Sequence, residues 1–246
     1  MILNERHKEI LSVIKTRKNV SVKELSSTLF VSEATVRRDL SEMQRLGLLE
    51  RTHGGAVVSG NAEEISHFVR IVKNAKEKEI IASHTLSLLP QYSSIFIDGS
   101  STALALAERM NLEHKTVITY NLQTALQLSK KSNVNLIILG GSVHYNTASA
   151  LGSWTVQQVN EFHFDLLINS CGAIHENEVL EPTTDQKMIK QNALKKSTFK
   201  ILLADHSKFT RIAPYCSSTL SDYDLIVTDQ APQNTYDCPN LIIAES

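Results

Sequence analysis

Two groups of residues have types and spacings suited to chemistry. Asp98-Gly99-Ser100-Ser101-Thr102 follows the apolar run Ser94-Ile95-Phe96-Ile97, which reads as a strand, and opens a stretch that reads as a helix. Hydroxyls and backbone N–H groups converging on a helix N-terminus favour an anion, and a phosphate fits there. The same small polar residues also make good caps, so the pattern gains weight from its neighbours. Tyr120-Asn121, Gly140-Gly141, Cys171-Gly172 and Asp205-His206-Ser207-Lys208 all fall at carboxyl ends of other predicted strands, where open α/β sheets bind their ligands. The second group is Thr35, Arg37, Arg38 and Ser41, on the polar side of a helix capped by Ser32. A helix that enters a DNA major groove needs one apolar face to seat it and cations or hydroxyls on the other. Arg51 and His53 beside Gly54-Gly55 would let a cation and the backbone approach a phosphate or the minor groove.

These side chains need elements to hold them. Asn4 can cap a first helix in which Ile10, Leu11 and Ile14 recur at helical spacing up to Lys18-Asn19. Ser21 and Glu24 have capping-box spacing and start a short second helix with Leu25 and Leu29 inward; Phe30-Val31 is the turn. The third helix runs from Ser32 to about Leu46, with Val36, Leu40 and Met43 on one face, and Gly47 stops it. Residues 48–58 then read as two short strands around the Gly54-Gly55 turn. An Arg-Arg pair alone suits a solvated face equally well. In succession with a tight turn, capped helices and a glycine wing, it predicts a winged helix-turn-helix over 1–58.

Residues 59–74 are polar and irregular and read as a linker. From 75 to 246, near-continuous apolar runs at 94–97, 117–120, 135–139, 165–168, 200–204, 224–227 and 241–244 alternate with helical stretches at 76–89, 102–110, 122–131, 153–160 and 184–197. That alternation predicts an α/β fold with a mainly parallel sheet covered on both faces. Strand order is not readable from it.

With 246 residues, 42% apolar and 21% charged, the chain sits among ordinary globular proteins, which excludes disordered, collagen-like and coiled-coil classes. Its apolar runs fall far short of the ~20 residues that span a bilayer, and no charged-then-apolar leader opens it, so no membrane partner and a cytoplasmic location are expected. The net charge of −1 hides an asymmetry: residues 1–60 carry ten Lys/Arg against seven Asp/Glu, and the remainder fifteen against nineteen. Three widely spaced cysteines show neither a C-x-x-C nor a zinc pattern, so neither disulfides nor a metal is expected. Cys171 reads as a small buried hydrophobe rather than a reactive thiol.

The strings Val31-Ser-x-x-Thr35-Val36-Arg37-Arg38-Asp39-Leu40 and Arg51-Thr-His53-Gly54-Gly55-Ala56 resemble the DNA-binding signature of the DeoR family of bacterial transcription regulators, and the resemblance continues over nearly the whole chain. It implies a regulator of sugar metabolism, commonly a repressor. Its second domain would resemble phosphosugar isomerases and sense a phosphorylated sugar without a cofactor. The resemblance assigns DNA contact to Ser32, Thr35, Arg37, Arg38, Ser41, Arg51, His53, Gly54 and Gly55. It assigns the effector site to Asp98, Ser100, Ser101, Thr102, Asn121, Gly140, Gly141, Lys190, Asp205 and Lys208, with Ser207 in the same D-x-S-K string. The chain departs from the family strings at Ser100, Tyr120, Gln186 and Asn169-Ser170-Cys171. A homodimer or homotetramer on a double-stranded operator is expected, because one winged helix reads too few base pairs and a twofold pair reads a palindrome.

The alternative is a phosphosugar isomerase-like enzyme with a vestigial DNA-binding domain. Such chemistry needs a base poised to move a proton between adjacent carbons, and Asp98, Asp205 and Glu181 are the candidates. Gln186 and Ser170-Cys171, standing where the family carries acidic groups, count against it, so no catalytic residue is expected.

Overall fold

The computed structural model describes residues 5–17, 19–45, 49–52, 54–57, 66–230 and 238–245. The expectations for Asn4, Leu46, Gly47, Leu48, His53 and residues 58–65 lie outside these. Two compact units divide the chain at Lys73/Asn74.

In the first unit, α1 (Glu5–Arg17), β1 (Asn19–Ser21), α2 (Val22–Leu29) and α3 (Glu33–Arg45) precede the hairpin β2 (Glu50–Thr52) and β3 (Gly55–Val57), and α4 (His67–Val72) follows. The Ser21–Glu24 capping box is present, and Phe30 takes a left-handed conformation to turn the chain between α2 and α3. Ile10, Leu11 and Ile14 of α1 meet Leu25 of α2 and Val36, Leu40 and Met43 of α3 in one buried cluster. Two elements depart from expectation. Residues 19–21 form β1, and the small sheet has the order β1-β3-β2, with Gly55 opposite both Ser21 and Thr52. The segment read as a linker, 59–74, contains α4, whose Phe68 and Val69 are buried in the first unit's core. Six residues are too few to show a helical period, and the polar stretch before them masked this short apolar patch.

The second unit starts with α5 (Ala75–Leu86), β4 (Ser94–Ile97), α6 (Ser101–Arg109), β5 (Thr116–Thr119), α7 (Leu122–Leu128) and β6 (Asn135–Ile138). A hairpin, β7 (Ser142–His144) and β8 (Ser149–Leu151), precedes α8 (Ser153–Asn160), β9 (Phe164–Asn169), a second hairpin β10 (Ala173–His175) and β11 (Glu178–Glu181), and α9 (Thr184–Lys195). Strands β12 (Ser197–Ala204), β13 (Tyr215–Thr219), β14 (Leu225–Thr228) and β15 (Leu241–Ile243) complete it.

Seven strands form one sheet in the order β15-β14-β12-β9-β4-β5-β6, and every neighbouring pair is parallel. Both faces are apolar: Phe96, Ile118 and Leu167 enter one core cluster, while Ile95, Ile97, Val117 and Ile168 enter the other. This is why the strands read as continuous apolar runs and not as alternating ones. From β4 the chain winds outward through β5 to β6. It then returns to place β9 on the other side of β4 and winds the opposite way through β12, β14 and β15. The β4/β9 boundary is therefore the topological switch point, where crossovers diverge and leave a crevice beyond the carboxyl ends. The strands outside this sheet, β7, β8, β10, β11 and β13, escaped the sequence reading. Each is short and antiparallel, in a hairpin or a three-stranded sheet of order β10-β11-β13.

Candidate functional site

On α3 the polar and apolar faces separate cleanly. Val36, Leu40 and Met43 are fully buried, whereas Arg37, Arg38 and Ser41 are exposed. Ser32 Oγ accepts the Thr35 backbone N–H at 3.2 Å and lies 2.9 Å from the Thr35 hydroxyl, so both residues fix the helix start. Arg37 pairs with Glu33 one turn earlier at 3.1 Å; both ends are solvated, so the pair contributes little and can be exchanged for a phosphate. Ser41 Oγ donates to the Arg37 carbonyl at 2.7 Å and accepts from Arg51 Nη1 at 2.7 Å, which ties the wing to α3. Among the described residues Arg38 has no hydrogen-bond or ion-pair partner. Thr35, Arg37, Ser41 and Arg51 thus lie together on one cationic surface with Arg38.

The two wing glycines differ. Gly54 has φ +100° and open space around it, and its carbonyl accepts the Val22 N–H at 2.8 Å. Gly55 is buried, and a Cβ there would fall 2.3 Å from the Val20 carbonyl oxygen. Gly55, expected in the DNA-facing wing, is required to be glycine by the close approach of β1.

At the switch point, Asp98 ends β4 and is buried. Its Oδ1 accepts the Ser100 N–H at 2.9 Å, its Oδ2 accepts the Ser170 N–H at 3.0 Å, and Lys190 Nζ lies 3.1 Å from Oδ2. Lys190, on α9, also donates to both Glu181 oxygens at 2.9 and 3.0 Å and to the Ser170 carbonyl at 2.7 Å. One ammonium is thus enclosed by two carboxylates, all three side chains nearly inaccessible. Burial opposes the Lys190 charge, but Glu181 and Asp98 outweigh it and hold the ammonium well above the ordinary lysine value. Burial pushes the Glu181 carboxyl up to about 7, against the pull of Lys190.

Ser100 caps α6 by accepting the Ala103 N–H at 3.0 Å, and Ser101 and Thr102 form the buried first turn. On the far side of β9, Asp205 accepts from Asn74 Nδ2 at 2.8 Å and from the Ser207 N–H at 3.1 Å. Burial raises its proton affinity, but the Ser207 hydroxyl and Lys208 lower it further, leaving the carboxyl below its ordinary value. Lys208 is close enough to act electrostatically on Asp205, Cys171 and Glu181. Burial pushes the Cys171 thiol up to about 12, so at neutral pH it is a protonated, unreactive group.

Asn121 and the glycine pair serve the fold more directly. Asn121 caps α7 through Thr124 and donates to the Thr147 carbonyl and Ser149 Oγ, both at 3.0 Å. Gly140-Gly141 follows β6, two strands from β4, or about 10 Å. The Gly140 carbonyl accepts from Thr155 and Gln158, and a Cβ on Gly141 would lie 2.2 Å from Thr155 Oγ1. The structure therefore groups Asp98, Ser100, Ser101, Thr102 and Lys190, with Asp205 and Lys208 on the flank, and leaves Gly140-Gly141 at the sheet edge.

Residues 73–230 match the family model of the DeoR C terminal sensor domain, and residues 6–61 that of the DeoR-like helix-turn-helix domain. The chain belongs to the DeoR family. Among relatives of this DeoR-family chain is the HTH-type transcriptional regulator GolR of Listeria innocua, 33% identical over 92% of this chain and 90% of that protein. The Glycerol-3-phosphate regulon repressor of Haemophilus influenzae is 31% identical over 93% of this chain and 90% of that protein. The HTH-type transcriptional repressor GlcR of Bacillus subtilis is 28% identical, covering 96% and 92%. Among solved structures, ribose 5-phosphate isomerase from Methanocaldococcus jannaschii aligns at 13% identity and a TM-score of 0.39 over 56% of this chain and 55% of that one. No helix among the described residues is long and apolar enough to cross a membrane.

In this DeoR-family chain the family strings did not single out three residues that the structure places at the switch point: Glu181, Asn169 and Ser170. Glu181, weighed only as a base, arrives on β11, a strand with no sequence signal. Asn169 and Ser170 stand in the segment that departs from the family string. The clue to both was positional, since they directly follow the predicted strand 165–168.

Proposed function

We propose that this DeoR-family regulator represses an operon for carbohydrate use, and that a phosphorylated sugar bound in the second unit modulates its hold on a double-stranded operator. The observation that carries the DNA half is the cationic surface of Thr35, Arg37, Arg38, Ser41 and Arg51 set back to back with the buried Val36/Leu40/Met43 stripe. In this reading α3 enters the major groove, Arg37 and Arg38 reach base edges or phosphates, and Gly54 brings the wing backbone to the duplex. His53 belongs to the same wing by its place in the sequence.

The effector's phosphate sits at the α6 N-terminus, on Ser100, Ser101 and Thr102, with Lys208 as the counter-charge. Lys190 orders the site by holding Asp98 and Glu181, and Asp205 orders the Lys208 loop. A homodimer or homotetramer presents two winged helices to a palindrome. The ligand shifts their placement by no more than its differential affinity for the two arrangements, typically about 1–3 kcal/mol.

Turnover is not part of this reading. Both Glu181 oxygens are held by Lys190, and both Asp98 oxygens accept backbone N–H groups. These contacts give both carboxylates a structural role in holding the site together. Footprinting of purified protein on its own upstream region, with and without sugar phosphates, tests the proposal. A protected palindrome whose occupancy changes with one sugar phosphate is the expected result; turnover of that compound with no footprint would replace the regulator by an enzyme.

A further inference from the structure

Two buried polar atoms at the carboxyl end of β9, Asn169 Oδ1 and Ser170 Oγ, have no hydrogen-bond partner. Both residues are at most 1% exposed. A buried polar atom without a partner costs most of its desolvation energy, and native proteins keep few of them. Their position is not arbitrary. Strand β9 lies between β4 and β12. The Ser170 N–H donates to Asp98, and its carbonyl accepts from Lys190. Ser170 is therefore built into the switch-point cluster, and Asn169 immediately precedes it at the end of β9.

The surroundings define what could complete them. Lys190 donates to the Ser170 carbonyl and Glu181 and is ion-paired with Asp98, so its charge is already answered by two carboxylates. A phosphate placed here would meet an acidic enclosure. Asn169 Nδ2 donates to the Tyr223 hydroxyl at 2.8 Å, which leaves the amide oxygen as an acceptor in want of a donor. Ser170 Oγ can donate or accept. An uncharged hydroxyl suits both, because it supplies a proton to Oδ1 and a lone pair or proton to Oγ.

We infer that Asn169 and Ser170 are specificity-determining residues that bind a hydroxyl group of the effector's uncharged portion, apart from its phosphate. This rests on the sugar-phosphate reading above. A site built around a hydroxyl rejects an analogue lacking it far more strongly than a site that merely encloses it, since its own polar groups are then left unpaired.

The test uses full-length protein, calorimetric titration and thermal melting. The probes are D-fructose 1-phosphate, D-glucose 6-phosphate, D-ribose 5-phosphate, sn-glycerol 3-phosphate and the monodeoxy analogues of whichever binds. Ser170→Ala is expected to weaken that ligand on the order of tenfold while leaving the ligand-free melting temperature equal to or above wild type, since it removes an unsatisfied hydroxyl. One monodeoxy analogue should bind wild type about tenfold more weakly than its parent and bind the variant no more weakly, the coupling expected of a direct contact. Asn169→Ser is the second probe and should give the same loss of affinity. A Ser170→Ala variant that melts lower without ligand and keeps full affinity overturns the inference, because the hydroxyl then serves the fold through a buried water. Wild-type protein that binds none of the panel overturns the effector reading itself, and this inference with it.

Discussion

Arg6 on α1 grips Asp39 on α3 through two hydrogen bonds, Nε to Oδ2 at 2.6 Å and Nη2 to Oδ1 at 3.1 Å. His7 Nε2 stands 3.5 Å from the same carboxylate. Asp39 directly follows Arg37-Arg38 in the sequence, yet it is buried and faces the opposite way. The helix period separates the roles: the arginines face solvent, and the aspartate locks α3 onto α1.

Asp39→Ala leaves Arg6 without its partner and should cost the first unit about 1–3 kcal/mol. Burial raises the proton affinity of the Asp39 carboxyl, but Arg6 and His7 outweigh this, so its folded value lies below the ordinary one. Its contribution is therefore present above the unfolded value and fades as pH falls through the folded value. Thermal melts from pH 7 down to pH 2 should show a wild-type loss that Asp39→Asn lacks; parallel curves would remove Asp39 as its source.

Arg38→Ala should weaken operator binding about 5- to 150-fold, the range of one good bidentate base contact, while changing stability by less than about 0.5 kcal/mol. Leu40→Ala, three helix positions from neighbouring Arg37, should do the reverse and cost about 2–5 kcal/mol of stability. Gel shifts paired with denaturant titrations separate the two effects. An Arg38→Ala variant with a wild-type footprint would take this arginine out of the interface.

Affinity for the operator should depend steeply on salt. If a dimer makes about 6–10 phosphate contacts, binding should fall roughly 10³- to 10⁵-fold between 50 and 200 mM. A flat response contradicts the contact model.

Lys190→Met strands two buried carboxylates and should destabilise the second unit by about 3–5 kcal/mol. Glu181→Gln is milder and carries a pH signature. Burial lifts the Glu181 carboxyl from its ordinary 4.5 to about 7. The folded state therefore holds more protons than the unfolded one in that window, and the Glu181 contribution declines as pH rises through it. The melting-temperature difference between wild type and Glu181→Gln should shift against wild type from pH 4.5 to 7; a constant difference would show that Glu181 does not titrate there.

Lys208→Ala should weaken the response to the cognate sugar phosphate without altering operator affinity in its absence. Induction curves in a reporter strain, set beside ligand-free gel shifts, measure both. Unchanged induction would exclude Lys208 as the phosphate's counter-charge.

Local signals carried a large share of the fold. The Ser21–Glu24 box, the Val36/Leu40/Met43 stripe and the apolar run Ser94–Ile97 each act over a few residues, and each element formed where its signal stands. Features with too few residues to show a period were invisible: β1, the β10–β11 hairpin that delivers Glu181, and α4 inside the segment read as a linker. The candidate site was legible at Asp98, Ser100 and Asp205, which end strands or cap helices. Gly55 and Gly141 were legible as glycines, but a Cβ there would be crowded, by the Val20 backbone in one case and by the Thr155 hydroxyl and Leu151 backbone in the other.

By itself, then, the order of side chains marked the longer helices and the strands of the parallel sheet, and placed Arg37 and Arg38 on the polar face of α3. Such choices depend on periodicity and capping within a turn or two. Only the tertiary structure decided that β9 lies beside β4, that Ser170 meets Asp98 from 72 positions away, and that Asn74 meets Asp205 from 131. Strand order and buried charge pairing are set by packing between distant segments, and no local pattern encodes a partner so far along the chain.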